Sequence, residues 1–292
     1  MEKNMGNTGL ITLEYVNTVI KERPREIHKG QCGRVLIAAG SVGMAGAAVL
    51  AARGAIKSGA GLVKAAVPQE LFTILQTSVP QATCMSISDD FSPRSLEIYG
   101  AIAAGPGMGV DEKNYHFIRD ILKCYDGPVV LDADGLNSLC RFDEALDSIK
   151  GRKGPTILTP HPGEADRLLE ALGEKKISQM GRTRASEILA EKTGAVVLLK
   201  GAGTLVTMSG KGTYINTTGN PGMATGGSGD VLTGVIAAIA ASGIDALDAA
   251  RAGAFVHGMA GDIAAERHGQ WGMTSVDIEE ALPAAFKKIV GK

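Results

Sequence analysis

The segment of the chain best suited to chemistry is 220–230 (NPGMATGGSGD), a glycine-rich stretch that ends in the carboxylate of Asp230. Apolar residues at helical spacing follow it in 231–241, so a helix is predicted to begin where the glycines end. The free amides and positive dipole end of such a helix bind anions, and phosphate is the obvious occupant. Asp230 could simply complement the dipole. An ionised carboxylate beside a phosphate is also suited to deprotonate a hydroxyl that attacks the phosphorus, which indicates phosphoryl transfer.

A second cluster, 200–204 (KGAGT), separates two predicted strands. Lys200 supplies a cation, the glycines supply loop amides and Thr204 supplies a hydroxyl, all of which suit a nucleotide. The alternative is an ordinary hairpin turn with a surface lysine. Two more glycine loops, 40–46 and 105–109, follow predicted strands and could either border a ligand crevice or only permit tight packing and turning.

Two further strand ends carry polar groups. Asp132 and Asp134 lie two residues apart, on one side of the strand if it stays extended, where they could reach a metal or a ribose. Asp134 could instead be a helix N-cap. His161 lies between two prolines, and a capping role is as compatible with this position as a ligand contact.

Several function classes are excluded. The chain contains no G-x-x-x-x-G-K-[ST], G-x-S-x-G or H-E-x-x-H motif, and the glycines of 40–46 are spaced G-x-x-G-x-x-G, unlike a dinucleotide fingerprint. Thirty basic residues balance 31 acidic ones and aromatics make up 4%, which argues against nucleic acid and anionic membranes as partners. No signal peptide or membrane span is predicted, and the scattered positions of the four cysteines suggest a reduced, cytoplasmic compartment.

Short β-branched runs alternate with helical patterns, which predicts an α/β fold with a mostly parallel sheet covered on both faces. The last three strands are separated only by glycine-bearing turns, which predicts an antiparallel hairpin edge. We expect a leading helix and connection in 1–27, with a helix at 10–20, and a single domain in 28–292. The predicted strands are 34–39, 62–67, 82–86, 100–104, 128–132, 156–159, 195–200, 204–208 and 213–217. The clearest predicted helices are 45–58, 111–123, 164–172, 182–192, 231–241 and 247–266.

The segment GNPGMATGGSGDVLTGVIAA, together with LDADGLN, TPHPGEADRL, KGAGT and GPGMG, resembles the ADP/ATP-dependent NAD(P)H-hydrate dehydratase family of the ribokinase-like superfamily. The resemblance extends over 28–290 and implies a three-layer α/β/α fold. It also implies dehydration of the S epimer of hydrated NADH or NADPH at the expense of ADP or ATP, with Mg²⁺ assisting. A homotetramer and a functional link to a separate epimerase are further implications.

The resemblance also implies roles for individual residues. Asp230 would contact the hydrate and act as the catalytic base, with Ala47, Gly109 and His161 around the hydrated nicotinamide nucleotide. Asn137 and Asp132 would contact the substrate or Mg²⁺, and no direct metal ligand is assigned. The residues expected on the adenine nucleotide are Lys200, Gly201, Ala202, Gly203, Thr204, Asn220, Gly226, Gly227 and Gly229.

Two other functions would use the same anion site. A small-molecule kinase of the superfamily, acting on hydroxymethylpyrimidine or hydroxyethylthiazole, would use the same Asp230. A nucleotide-sensing module without catalysis is less compatible with that carboxylate, because phosphate is bound better without a negative charge beside it.

Overall fold

The computed structural model describes residues 8–87, 93–142 and 145–291, in which ten strands form one sheet. The strands are β1 (Thr8–Ile11), β2 (Arg34–Ala38), β3 (Leu62–Val67), β4 (Ala82–Ser86), β5 (Ala101–Ala104), β6 (Val129–Leu131), β7 (Thr156–Leu158), β8 (Val196–Leu199), β9 (Leu205–Met208) and β10 (Gly212–Asn216). The helices are α1 (Leu13–Val19), α2 (Ala45–Lys57), α3 (Phe72–Ser78), α4 (Pro93–Leu96), α5 (Glu112–Cys124), α6 (Asp134–Arg141), α7 (Ala145–Lys150), α8 (Pro162–Ala171), α9 (Ile177–Met180), α10 (Arg182–Thr193), α11 (Ser228–Ala241), α12 (Ala246–Gly272) and α13 (Ser275–Val290).

The strand order is β1-β10-β9-β8-β7-β6-β5-β2-β3-β4, and among these ten described strands only β9 runs antiparallel to its neighbours. Alternate residues of a strand enter two different cores: Val35 and Ile37 pack on one face of the sheet, Leu36 and Ala38 on the other. Helices α2, α11, α12 and α13 contribute to the first core, and α5, α6, α8 and α10 to the second. The predicted three-layer α/β class is therefore confirmed.

Helix α11 carries the predicted functional glycines and lies deep in the first core. Every residue from Val231 to Ala241 is buried. A side chain at Gly234 would collide with the Ala51 backbone oxygen of α2, and one at Gly54 would lie 2.6 Å from the Val231 oxygen. Small residues on both helices thus allow close packing, which fixes the N-terminus of α11 at the carboxyl end of the parallel strands.

The N-terminal prediction was wrong in part. Instead of one helix over 10–20, the chain forms β1, which pairs in parallel with β10 and places Leu10 opposite Ile215. Thr12 then caps α1 by accepting a hydrogen bond from the Tyr15 amide at 3.3 Å. The hairpin is consequently one strand away from the edge, because β1 covers β10.

Aromatic and charged side chains hold this N-terminal segment on the domain. The Arg251 guanidinium of α12 lies between the rings of Tyr15 and Tyr214, 3.5 and 3.7 Å from their centroids. The Tyr15 hydroxyl donates to Asp248, and Thr217 Oγ1 donates to the Ile11 carbonyl at 2.7 Å. Within the described ranges, no helix is long and apolar enough to cross a membrane.

Candidate functional site

A cavity of about 650 Å³ opens where the ends of β8 and β10 meet the start of α11. It brings together several residues that the sequence analysis had placed in one site. The predicted residues that line it are His161, Lys200, Gly201, Ala202, Gly203, Thr204, Asn220 and Gly229. Loops far apart in the chain therefore converge around one space large enough for a nucleotide-sized ligand.

The N-terminus of α11 forms one wall of this cavity. The helix begins at Ser228, three residues earlier than predicted, and no side chain of the described residues caps its first amides. Gly227 precedes it with φ 85°, and a side chain at this position would meet Ser275 Oγ at 2.7 Å. A glycine is required there, and the helix presents uncapped amides that suit an anion.

Lys200 is the cation of the site, and it is bound within a buried network of acids. Its Nζ lies 2.7 Å from Asp132 Oδ1 and 3.8 Å from Glu164 Oε2, while Asp132 Oδ2 accepts a hydrogen bond from Thr233 Oγ1 at 2.9 Å. Burial alone would lower the pKa of Lys200, but the charges of Asp132 and Glu164 outweigh it, so the pKa is raised and the amine stays protonated.

Asp230, on the first turn of α11, differs from its predicted state. The sequence predicted an ionised carboxylate, whereas burial, followed by the charge of Asp132, raises the pKa of Asp230 to about 7. Asp134 raises it further and Lys200 opposes the shift. Among the described residues, none donates a hydrogen bond to this carboxylate. The environment thus creates a proton acceptor matched to neutral pH, which is the property expected of a general base.

Asp132 and Asp134 are placed by a tight turn. The strand ends at Leu131, so the chain does not stay extended as assumed, and the Gly135 amide donates to the Asp132 carbonyl at 2.8 Å. The N-cap of α6 is Ala133, so the N-cap interpretation of Asp134 is wrong. The Asp134 carboxylate instead accepts a hydrogen bond from the Gly109 amide at 2.8 Å.

The backbone of this turn is strained at Ala133. Its φ of 46° and ψ of −116° correspond to the first central position of a type II′ turn, which favours glycine. Ala133 is the only non-glycine residue in the described part of the chain with a positive φ. Strain of this kind is found where the surrounding structure fixes functional groups, here the carboxylates on either side.

We expect Ala133→Gly to stabilise the protein by about 1 kcal/mol, because glycine adopts this conformation without steric cost. Urea denaturation would measure the gain. Ala284→Gly, within helix α13, is the matched control and should destabilise by about 1 kcal/mol because it adds glycine to a regular helix. Equal losses in the two variants would show that the Ala133 conformation costs nothing.

His161 fulfils the capping role that the sequence left open. Its Nδ1 accepts hydrogen bonds from the Gly163 and Glu164 amides at 3.0 and 3.4 Å. Glu164 Oε2 in turn accepts a hydrogen bond from the His161 amide at 2.8 Å. This reciprocal box begins α8. The imidazole also lines the cavity with about half of its side chain exposed (51%), so capping leaves part of the ring available to a ligand.

The other predicted residues lie outside the lining of the cavity. Gly109, Asp134 and Asn137 are linked, since Asn137 Nδ2 donates to Asp134 Oδ1 at 3.2 Å. The two glycine loops are joined by the Ser41 hydroxyl, which donates to the Gly107 carbonyl at 2.8 Å. The charge of Asp134 raises the pKa of Asp230, so these loops are coupled electrostatically to that carboxylate although they do not line the cavity. The predicted residues that do not line the cavity are Ala47, Gly109, Asp132, Asn137, Gly226, Gly227 and Asp230.

His257, which was not predicted as a site residue, lines the cavity from α12. The side chain is buried, and its Nε2 has no hydrogen-bond partner among the described residues. Burial, assisted by the charge of Lys200, lowers the pKa of His257 to about 4 although the Ser228 backbone opposes the shift, so the ring is neutral at pH 7. The only sequence signal was a polar residue within an apolar helical stretch.

The comparisons with known proteins identify the family to which this chain is similar. Residues 35–284 match the family model described as NAD(P)H-hydrate dehydratase. The chain is 40% identical to the bifunctional NAD(P)H-hydrate repair enzyme Nnr of Moorella thermoacetica, over 97% of this chain and 54% of that protein. It is 38% identical to the ADP-dependent (S)-NAD(P)H-hydrate dehydratase of Neisseria meningitidis serogroup B, over 86% of this chain and 83% of that protein.

A solved structure gives the same result. The ADP/ATP-dependent NAD(P)H-hydrate dehydratase of Bacillus subtilis, co-crystallised with ATP/Mg²⁺, superposes with a TM-score of 0.84 at 30% identity, covering 97% of this chain and 99% of that one. The chain spans about half the length of the bifunctional curated relatives that it matches. From the match of the family model and these identities, the chain belongs to the NAD(P)H-hydrate dehydratase family.

Proposed function

We propose that the protein dehydrates the S epimer of hydrated NADH or NADPH at the expense of ADP or ATP. The observation that carries this proposal is the position of the Asp230 carboxylate on the first turn of the uncapped helix α11, near the charge of Lys200, where burial raises its pKa to about 7. A phosphate-binding end and an adjacent base are the two parts that phosphoryl transfer requires.

The two substrates would occupy opposite sides of Asp230. The adenine nucleotide would bind in the cavity, where the 200–204 loop, Asn220 and Gly229 form the walls and Gly226 and Gly227 precede α11. The hydrate would bind toward Ala47 and Gly109, and His161, which also borders the cavity, would contact it from the boundary between the two substrates. Support for this arrangement comes from the hydrogen bond between the Gly109 amide and Asp134, since Asp134 also acts on the charge of Asp230.

The chemistry follows from the poor leaving ability of hydroxide. Asp230 takes the proton of the ring hydroxyl as the oxygen attacks the terminal phosphorus of the nucleotide, whose bond to the bridging oxygen breaks. Lys200 and the α11 amides stabilise the negative charge that develops. The lone pair of the ring nitrogen then expels the oxygen as phosphate, and the ring loses a proton as the double bond reforms.

Mg²⁺ would enter with the nucleotide. In the described part of the chain, no group of three or more His, Cys, Asp or Glu residues could hold a metal ion by itself. Both oxygens of Asp132 are engaged by Lys200 and Thr233, whereas Asp230 accepts no hydrogen bond from the described residues. Such a site fits an ion bound chiefly by phosphates and water with at most one or two carboxylates, and the ion would neutralise phosphate charge.

One assay tests the proposal against its alternatives. The protein is incubated with hydrated NADH, ADP or ATP, and Mg²⁺, and the absorbance of the reduced nicotinamide is followed. We expect the absorbance to return only when nucleotide is present. Consumption of nucleotide on hydroxymethylpyrimidine or hydroxyethylthiazole instead would favour the kinase, and nucleotide binding without any turnover would favour a sensing module.

We also propose the context in which the enzyme works. A separate epimerase would supply the S epimer, and the bifunctional relatives support this link because the chain matches only about half of their length. The expected assembly is a homotetramer in the cytoplasm, with a domain over 28–292. Light scattering of the purified protein would test the tetramer, and a monomer would contradict it.

A further inference from the structure

Four of the five carbonyls of 199–203 face a single guanidinium, that of Arg182. Arg182 Nη1 donates to the Ala202 carbonyl at 2.6 Å. Its Nη2 lies 3.3 Å from the carbonyls of Leu199 and Gly203 and 3.5 Å from that of Lys200. One side chain thus binds four of the backbone carbonyls in the 199–203 segment. Arg182 itself is not among the residues that line the cavity.

This arrangement determines where the loop amides point. In a trans peptide the carbonyl and the following N–H point in opposite directions, so the amides after the Lys200 and Ala202 carbonyls point away from Arg182. These are the amides of Gly201 and Gly203, both of which line the cavity. Within the described ranges neither amide has a hydrogen-bond acceptor, although loop amides normally find one.

The position of Arg182 is not explained by the stability of its own helix. Arg182 is the first residue of α10, and a cation at a helix N-terminus opposes the helix dipole. Burial lowers its pKa, and its Nε has no hydrogen-bond partner among the described residues. Gly201 has φ 138°, and a side chain there would come within 3.0 Å of Arg182 Nη2. The loop is built around the guanidinium.

We propose that Arg182 is a positioning residue that turns the Gly201 and Gly203 amides toward acceptor atoms of the bound adenine nucleotide. This inference rests on the proposed function, because it takes the cavity as the nucleotide site. Arg182 touches neither substrate in this arrangement. It acts by holding the carbonyl face of the loop, so that the opposite face is formed before the nucleotide arrives.

The test compares Arg182→Lys with Arg184→Lys. Arg184 is two residues away, and its side chain is largely exposed and paired with Glu187 on the surface. A lysine at 182 keeps the charge but loses the planar fork that reaches several carbonyls. We expect the Kd and the KM for ADP to rise about tenfold or more in Arg182→Lys, with kcat and the KM for the hydrate within about threefold of wild type. Arg184→Lys should match wild type.

A second variant covers the case in which Arg182→Lys does not fold. Arg182→Gly leaves space for free guanidinium, which at millimolar concentration should restore ADP affinity, whereas ammonium should not. Circular dichroism of each variant identifies misfolding. A folded Arg182→Lys with wild-type ADP affinity, or a folded Arg182→Gly that guanidinium does not rescue, would overturn the proposal.

The outcome is separable from that of the proposed function. ADP binding is measured directly by calorimetry, so the role of Arg182 is tested even if the wild-type protein does not dehydrate the hydrate. Failure of dehydration with intact ADP binding would overturn only the proposed function. A wild-type protein that binds neither ADP nor ATP would overturn both.

Discussion

Replacing Asp230 with Asn should lower turnover about 10³-fold while leaving ADP affinity close to that of wild type. The amide cannot take a proton from the ring hydroxyl, so the step that creates the phosphorylated leaving group loses its base. The nucleotide would still meet Lys200, the loop amides and the α11 N-terminus, none of which the substitution removes. Loss of a negative charge beside the phosphates should, if anything, strengthen nucleotide binding.

The measurement is kcat with saturating hydrated NADH and ADP, together with calorimetric titration of ADP. Asp120→Asn is the control, since Asp120 pairs with Arg119 on α5, a helix from which no residue lines the cavity. It should retain wild-type turnover. Full turnover in Asp230→Asn would refute the assignment of this residue as the base.

The pH dependence should report the same carboxylate. With the pKa of Asp230 at about 7 in the free enzyme, kcat/KM should rise with pH up to about 7 and then level off, because the base must be ionised. If the residual activity of Asp230→Asn kept this pH profile, a group other than Asp230 would be responsible for it. Burial and Asp132 cause the raised value, so weakening the Asp132 charge would move the midpoint to lower pH.

Stability should follow the opposite course. The folded pKa of Asp230 exceeds its unfolded value of 3.8, so its contribution is fully present below pH 3.8 and is lost as pH rises to about 7. Asp230→Asn stays neutral at every pH. Its unfolding free energy should therefore increasingly exceed that of wild type as pH rises from 3.8 to about 7, and the difference should stay constant above pH 7. We expect roughly 1–3 kcal/mol at pH 8 in urea denaturation of the unliganded protein, after allowance for partial solvent exposure. If the difference in unfolding free energy between Asp230→Asn and wild type were the same at pH 5 and at pH 8, the buried environment of Asp230 would be contradicted.

The sequence predicted those features that depend on local pattern. The apolar strands and the helix after the glycines follow from periodicity, so β2 to β10 and α11 were found with ends shifted by a few residues. Strand β1 was missed because its four residues become a strand only by pairing with β10, about 200 residues away. The local pattern there was too short to distinguish strand from helix.

In the site, too, features with a local sequence signal were predicted, whereas features that depend on distant residues were not. Glycine spacing and the residues of 200–204 identified the anion site, because a helix N-terminus and a glycine loop have local sequence signals. The hydrogen bond from Gly109 to Asp134, the carbonyls held by Arg182 and the orphaned His257 depend on side chains brought together from different elements. The raised pKa of Asp230 likewise arises from burial and then from the charge of Asp132, which is 98 residues away in the chain.

Replacing Lys200 with Met should cost about 3–5 kcal/mol of unfolding free energy, because it removes one partner of a buried ion pair. The side chain of Asp132 is only 2% exposed, and Lys200 Nζ is 2.7 Å from its Oδ1. Among the described residues, only Thr233 Oγ1 would then donate a side-chain hydrogen bond to this carboxylate. Since Lys200 also lowers the pKa of Asp230, its loss should move the pH profile of the remaining activity upward.

A double-mutant cycle separates the structural effect of Lys200 from its effect on nucleotide binding. Asp132→Asn in the Lys200→Met background removes the uncompensated charge and should recover much of the lost stability. ADP affinity should stay low in both variants, because the cation that meets the phosphates is still absent. Lys192→Met, which breaks the exposed pair with Glu174, is the control and should cost less than about 1 kcal/mol. A Lys200→Met protein as stable as that control would mean that the Asp132 carboxylate is not held by Lys200, and recovery of ADP affinity along with stability would mean that Lys200 serves only the fold.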